Sequence, residues 1–252
     1  MLAIISKAFG LSKPSEDIPL MPRQINLSGN VLHFAMPENF SHDMPAEDMI
    51  EFVDLTDKSI YKDDKKFTLI RRWWDFKDNG FLGKEYGTLM MSLYIKDTPE
   101  SLSINTLNPL DFIDILIDNV NKNKAENDDS LTVYSDYFTA YKEEWFNEQR
   151  WLSYTYGPLD GSQYTFLYAI PITDKQYLIA EFTSAPNNNI NIRSFIDSHT
   201  DIFINKILNS FNIKYLENNL ARQAVLNSNT PTLQQLIDNK VLQLEKKQHI
   251  KH

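Results

Sequence analysis

The sequence predicts an α+β fold: an antiparallel β-sheet flanked by helices, with a helical extension at the C-terminus. Three observations predict it. Most apolar segments alternate with a period of two and follow one another across short turn signals, so successive strands pair as neighbours. Two stretches, beginning at Asn108 and near Ile192, instead repeat apolar residues at helical spacing. Beyond residue 216 the chain becomes polar and helical, with an apolar seam too thin for a core of its own.

In chain order, residues 1–23 read as a lead-in and linker broken by Pro14, Pro19 and Pro22. Residues 24–215 read as the sandwich domain and 216–252 as the extension. "INLSGNVLHFAMP" (25–37) is a hairpin about Ser28-Gly29-Asn30, a turn signal. Strands are expected at 49–56, 67–76 and 87–96, the last two joined through Asn79-Gly80 and Gly83. "NPLD" starts a helix over 108–124, with Asn108 as cap, Pro109 in the first turn and Asp111 near the helix start. Phe112, Ile113, Leu116 and Val120 mark its apolar face, and Asp111, Asp114 and Asp118 lie mostly opposite.

Further strands are expected at 131–141, 149–156, 163–172 and 176–184. A second helix follows at 192–209, carrying Phe195, Ile196, His199, Phe203 and Ile207, and a closing strand at 210–215. In the extension, Thr230 and Pro231 start a helix. Leu233, Ile237, Val241 and Leu244 form its seam, which suits docking on its own domain, on a partner or on a second copy in a homodimer.

Composition narrows the function. The 252 residues are 42% hydrophobic and 12% aromatic, an ordinary globular balance. With no cysteine, disulfides, thiolate metal sites and cysteine nucleophiles are excluded. A net charge of -9 opposes nucleic-acid binding, which draws its affinity from Lys and Arg at phosphates, and suits a basic protein partner. The apolar run Leu2–Ile5 is too short for a secretory h-region, and no stretch approaches a membrane span. A cytoplasmic location without membrane association is expected.

"RRWWDFK" (71–77) poses the sharpest question. Alternation puts Trp73 and Trp74 on opposite faces, as in a central strand covered on both sides. The competing reading is an aromatic pocket formed by Trp73, Trp74 and Trp151. "SHD" at 41–43 has the letters of a catalytic triad, but three consecutive residues cannot converge in one hydrogen-bonded line. His199 is expected as a core or boundary histidine. Glu143, Glu144 and Glu148 lie beside Trp145, with Glu144 and Glu148 at i, i+4 spacing if the segment is helical, and read as a solvated face. The Asp63-Asp64 and Asp128-Asp129 pairs lack calcium-loop spacing, and the terminal "HIKH" is a tail. No catalytic residue, metal site or cofactor is expected.

"LHFAMPENFS" after the first hairpin, and the late strand, strand, helix and "ILNSFNIKY", resemble the PsbP-like (Mog-like) fold over roughly 25–215. The resemblance implies an antiparallel sheet between helices, a fold shared by Eag-type chaperones of type VI secretion effectors. "RRWWDFKDNGFLGKEYGTLMMS" resembles cytoplasmic proteins encoded beside such effectors, immunity proteins among them. It implies a binding protein that neutralises a cognate toxin. An effector chaperone or adaptor, and a small-ligand protein or enzyme built on the aromatic pocket, are the alternatives. Charge assigns the contact surface to Asp111, Asp114 and Asp118 with the nearby Asp128 and Asp129.

Overall fold

A computed structural model of the chain describes residues 18–41, 44–61, 66–77, 84–98, 105–126, 132–134, 141–158, 162–187 and 190–226, with Thr232, Gln235, Leu236 and Asp238. The fold is α+β with mostly antiparallel sheets. The larger sheet has seven strands: β4 (Lys66–Lys77), β5 (Glu85–Asp97), β6 (Thr132–Tyr134), β7 (Lys142–Phe146), β8 (Gln149–Pro158), β9 (Tyr164–Pro171) and β10 (Gln176–Pro186). They are ordered β4-β5-β10-β9-β8-β6, and β7 shares the outer edge of β8. The smaller sheet, ordered β11-β2-β1-β3, contains β1 (Met21–Leu27), β2 (Asn30–Met36), β3 (Phe52–Val53) and β11 (Asn212–Lys214). Only β1 and β3 pair in parallel within it.

Both tight hairpins take the turn that their right-handed strands prefer. Ser28 (φ 51°) and Gly29 (φ 91°) join β1 to β2, and Asn147 (φ 48°) and Glu148 (φ 63°) join β7 to β8. Two successive positive-φ residues match the twist of the flanking strands. Asn26 Oδ1 accepts from the Gly29 N–H at 2.7 Å. The second turn lacks a glycine and was not expected from the sequence. Glu143 and Glu144 therefore lie in β7, with Glu148 in its turn, and the helical i, i+4 pairing of Glu144 with Glu148 does not occur.

Helix α1 (Pro109–Glu126) starts as expected, with Asn108 Oδ1 accepting from Leu110 N–H at 3.0 Å. It lays Phe112, Ile113, Ile115 and Leu116 on one face of the large sheet, against Tyr94, Leu152, Tyr154, Leu167, Tyr177 and Ile179. The other face packs on α2 (Ile192–Phe195), a wide π-turn (Ile196–Thr200), α3 (Asp201–Leu208) and the small sheet. Burial along this helical run falls on the pairs 195/196, 199/200, 203/204 and 207/208. A spacing of four overshoots 3.6 residues per turn, and the wider turn absorbs the drift and keeps one face on the sheet. Asn191 caps the run through its side chain.

Two strand expectations change. Residues 49–56 give only β3, because Ile50 N–H bonds Leu69 O at 2.9 Å and leaves the small sheet for β4. The segment 131–141 gives β6, with β7 beginning at Lys142, and 135–140 lies outside the described residues. Among the described residues no helix is long and apolar enough to cross a membrane.

The chain past Tyr215 is fastened to the body. Asn219 Nδ2 donates to Asn30 Oδ1 (2.8 Å) and Ile172 O (2.9 Å), while its Oδ1 caps α4 (Leu220–Leu226) at Ala221. Ala221 and Val225 are buried, and Arg150 Nη2 donates to Ala224 O at 3.1 Å. A chain ending after Tyr215 should lose roughly 2–4 kcal/mol by denaturant melt, from Val225 burial and the Asn219 bonds. A chain ending after Leu226 should keep that contribution, and equal melts for the two would separate α4 from the core.

Candidate functional site

The structure places RRWWDFK on β4, an edge strand and not the central one expected. Its outer edge is covered instead by a loop: Phe40 N–H bonds Trp73 O (3.1 Å), Asp75 N–H bonds Phe40 O (2.9 Å), and Asn39 Oδ1 accepts from Trp73 N–H (2.8 Å). Covering an edge in this way removes a template for unwanted strand pairing.

Trp74 is fully buried, its ring edge-on to Phe203 at 5.0 Å and its indole N–H donated to Glu38 O at 2.8 Å. Trp73 faces the opposite side of the sheet, 8% exposed, beside Met90. Trp151 is also fully buried, against Phe146 and Phe211. It lies four strand spacings from Trp74 along β4-β5-β10-β9-β8, about 19 Å. The three tryptophans form no common pocket, and none lines the grooves described below.

Two open grooves meet the motif: Asp75, Phe76 and Lys77 line one of about 280 Å³ with Glu85 and Thr88, and Arg72 lines the other. By strand alternation it shares the side of β4 that carries Trp74 and Phe76, and it meets β1 of the small sheet. Its Nη1 donates to Glu47 O and Arg71 O, each at 2.6 Å, which fixes the guanidinium plane. There it lines a groove of about 670 Å³ with Arg23, Gln24 and Asn26 of β1 and with Asp48 and Glu51 of the segment that leads into β3. Burial, and next the positive charge of Arg23, hold the Arg72 guanidinium below its usual pKa. Among the described residues neither Arg23 nor Arg72 makes an ion pair, whereas Arg71 reaches Glu47 at 3.4 Å. Arg23, Asp48 and Glu51 stood out in no motif. Their convergence depends on β1 and β4 being brought together from distant parts of the chain.

Asp111, Asp114 and Asp118 lie along the partly exposed side of α1, opposite its buried residues, as the spacing predicts. Asp128 and Asp129 lie outside the described residues, as do Asp63, Asp64 and two members of the "SHD" stretch, His42 and Asp43. His199 is buried within the π-turn among Phe76, Tyr86 and Phe195, the closest ring being Tyr86 at 4.4 Å.

A second polar cluster closes one end of the large sheet. Lys58 Nζ and Gln176 Nε2 donate to the two oxygens of buried Asp97, at 2.8 and 2.9 Å. Burial, and then Asp97, push the nearby Tyr61 hydroxyl well above its usual ionisation range. Each carboxylate oxygen is answered by a donor, so the cluster reads as a brace between the 3₁₀ turn Lys58–Ile60 and the β9–β10 turn. Among the described residues no three His, Cys, Asp or Glu side chains are grouped to hold a metal ion. No family model matches the chain, and no curated protein or solved structure matches it.

Proposed function

We propose that the chain is a non-catalytic binding protein that neutralises a bacterial toxin by occlusion, as a cytoplasmic immunity protein of the type VI secretion kind. The observation that carries this reading is the acidic side of α1. The helix buries its apolar residues on the sheet and turns Asp111, Asp114 and Asp118 outward on a chain of net charge -9. Such a ridge suits a basic partner, because opposite fields speed encounter. An antiparallel sheet with α1 on one face and a helical run on the other is the coarse arrangement on which the PsbP-like reading rests, and the four-stranded sheet that shares the second layer is an addition to it.

Co-expression with the product of the neighbouring gene should give a stoichiometric complex that co-purifies. Asp114→Lys with Asp118→Lys should slow association about tenfold at low salt, and the difference should shrink as salt rises past 0.1 M, where screening acts over about 10 Å. Asp111 is left in place because it offsets the helix dipole at the first turn. A pure chain that ignores that product and turns over a small molecule would overturn the proposal.

The exposed leucines favour a second reading, an effector chaperone or adaptor. Leu220 is 64% exposed, and Leu216 and Leu226 are also open on the segment that carries α4. An adaptor would lose its client on Leu220→Asp, and an immunity protein acting through α1 would not.

A further inference from the structure

The groove beside Arg72 is more than a surface dent, because a strand edge, two arginines and two carboxylates meet there. β3 covers β1 only at Asn26 and Leu27, through Asn26 N–H to Glu51 O (2.8 Å) and Ser28 N–H to Val53 O (3.0 Å). Upstream of Glu51 the chain turns away to β4, and a wedge opens alongside the rest of β1. Backbone groups of a strand alternate in direction, so Gln24 turns its N–H and C=O to the same side as Asn26. Pairing of its partner His33 with Asn212 of β11 agrees with that direction. The Gln24 backbone thus faces the groove.

We propose that this groove binds an extended peptide segment, which adds to β1 at Gln24. One of its carboxylates is held by Arg23 and Arg72, and a cationic side chain faces Asp48 and Glu51. The volume, about 670 Å³, falls within the roughly 300–1,000 Å³ of ligand sites. Arg72 is held in one orientation by its two carbonyl bonds, so little side-chain freedom is lost when it grips a carboxylate. A multiply charged anion such as phosphate fits less well, because Asp48 and Glu51 line the same groove. An extended peptide can answer both charges, since its side chains i and i+2 project to one side about 6.6 Å apart. A second copy of the chain adding edge to edge is disfavoured. Pro22, the next residue whose backbone turns outward, has no N–H to offer and guards the edge beyond Gln24.

The test pans a phage-displayed random heptapeptide library against the full chain and measures the affinity of the selected peptides, made synthetically, by anisotropy. The expected result is enrichment of sequences with an acidic and a basic residue two positions apart. Their binding should weaken about tenfold on Arg23→Ala, the cost of losing a charge-assisted pair. Gln24→Pro removes the outward N–H together with the Gln24 side chain and should weaken it as well, whereas Gln24→Ala, which keeps the N–H, should weaken it less, with thermal melts of these variants matching the parent. Arg72→Lys is the second guanidinium variant, because it keeps the charge and loses the fork. Absence of enrichment, selected peptides that bind all variants as they bind the parent, or displacement of peptide by free glutamate or arginine alone would each overturn the proposal.

Discussion

Trp74→Ala is expected to destabilise the protein by roughly 3–5 kcal/mol in denaturant melts, the range for emptying a large aromatic site in a packed core. Three losses combine. The cavity opens where the indole met Phe203, the Glu38 carbonyl loses its donor, and the seat of β4 on α3 loosens. Neighbouring Trp73→Ala should cost distinctly less. Its backbone is held by Asn39 and Phe40, and its side chain lies at the rim of the opposite face, outside both hydrophobic clusters. Equal losses for the two substitutions would mean that both sides of this edge strand are packed alike, contrary to the arrangement described.

Gln149→Ala is expected to cost roughly 2–5 kcal/mol, because it strands two buried backbone groups at once. The side-chain amide of Gln149 acts as a missing strand for β11: Oε1 accepts from Ile213 N–H at 2.9 Å and Nε2 donates to Ile213 O at 2.7 Å. Gln149 is buried, so water does not substitute for it. Asn147 supports the same junction by donating to Asn209 O and Phe211 O. Hydrogen exchange at the Ile213 amide gives a direct reading. Its protection should collapse in the variant while the β5 and β10 amides remain slow. An unchanged Ile213 amide would show that β11 is held by β2 alone.

Local signals in this chain were legible in the sequence because their physics is local. The Ser28-Gly29 turn, the Asn108 cap with Pro109, the period-two strands over 67–76, 87–96, 163–172 and 176–184, and the aspartate side of α1 each depend on residues within a few positions of one another. The α+β class follows from their order. The π-turn was half legible, since the apolar pairs 195/196, 203/204 and 207/208 hint at a spacing of four, whereas the buried pair within the turn, His199 and Thr200, is polar.

Tertiary contacts decided the rest. A twin-tryptophan strand apolar on both sides reads as central. It became an edge because Asn39, Phe40 and Ile50, more than fifteen residues upstream, supply hydrogen bonds that a neighbouring strand would have made. Asn147-Glu148 took a positive-φ turn without glycine, with Asn147 hydrogen-bonded to a segment some sixty residues away. The groove is the clearest case. Arg23, Asp48 and Arg72 are each ordinary charged residues in sequence, and they face one another only because β1 and β4 close on the same wedge. Periodicity reports which way a side chain turns within its own element. It carries no information about which other element will meet it there, because that choice is made by burial summed over the whole molecule.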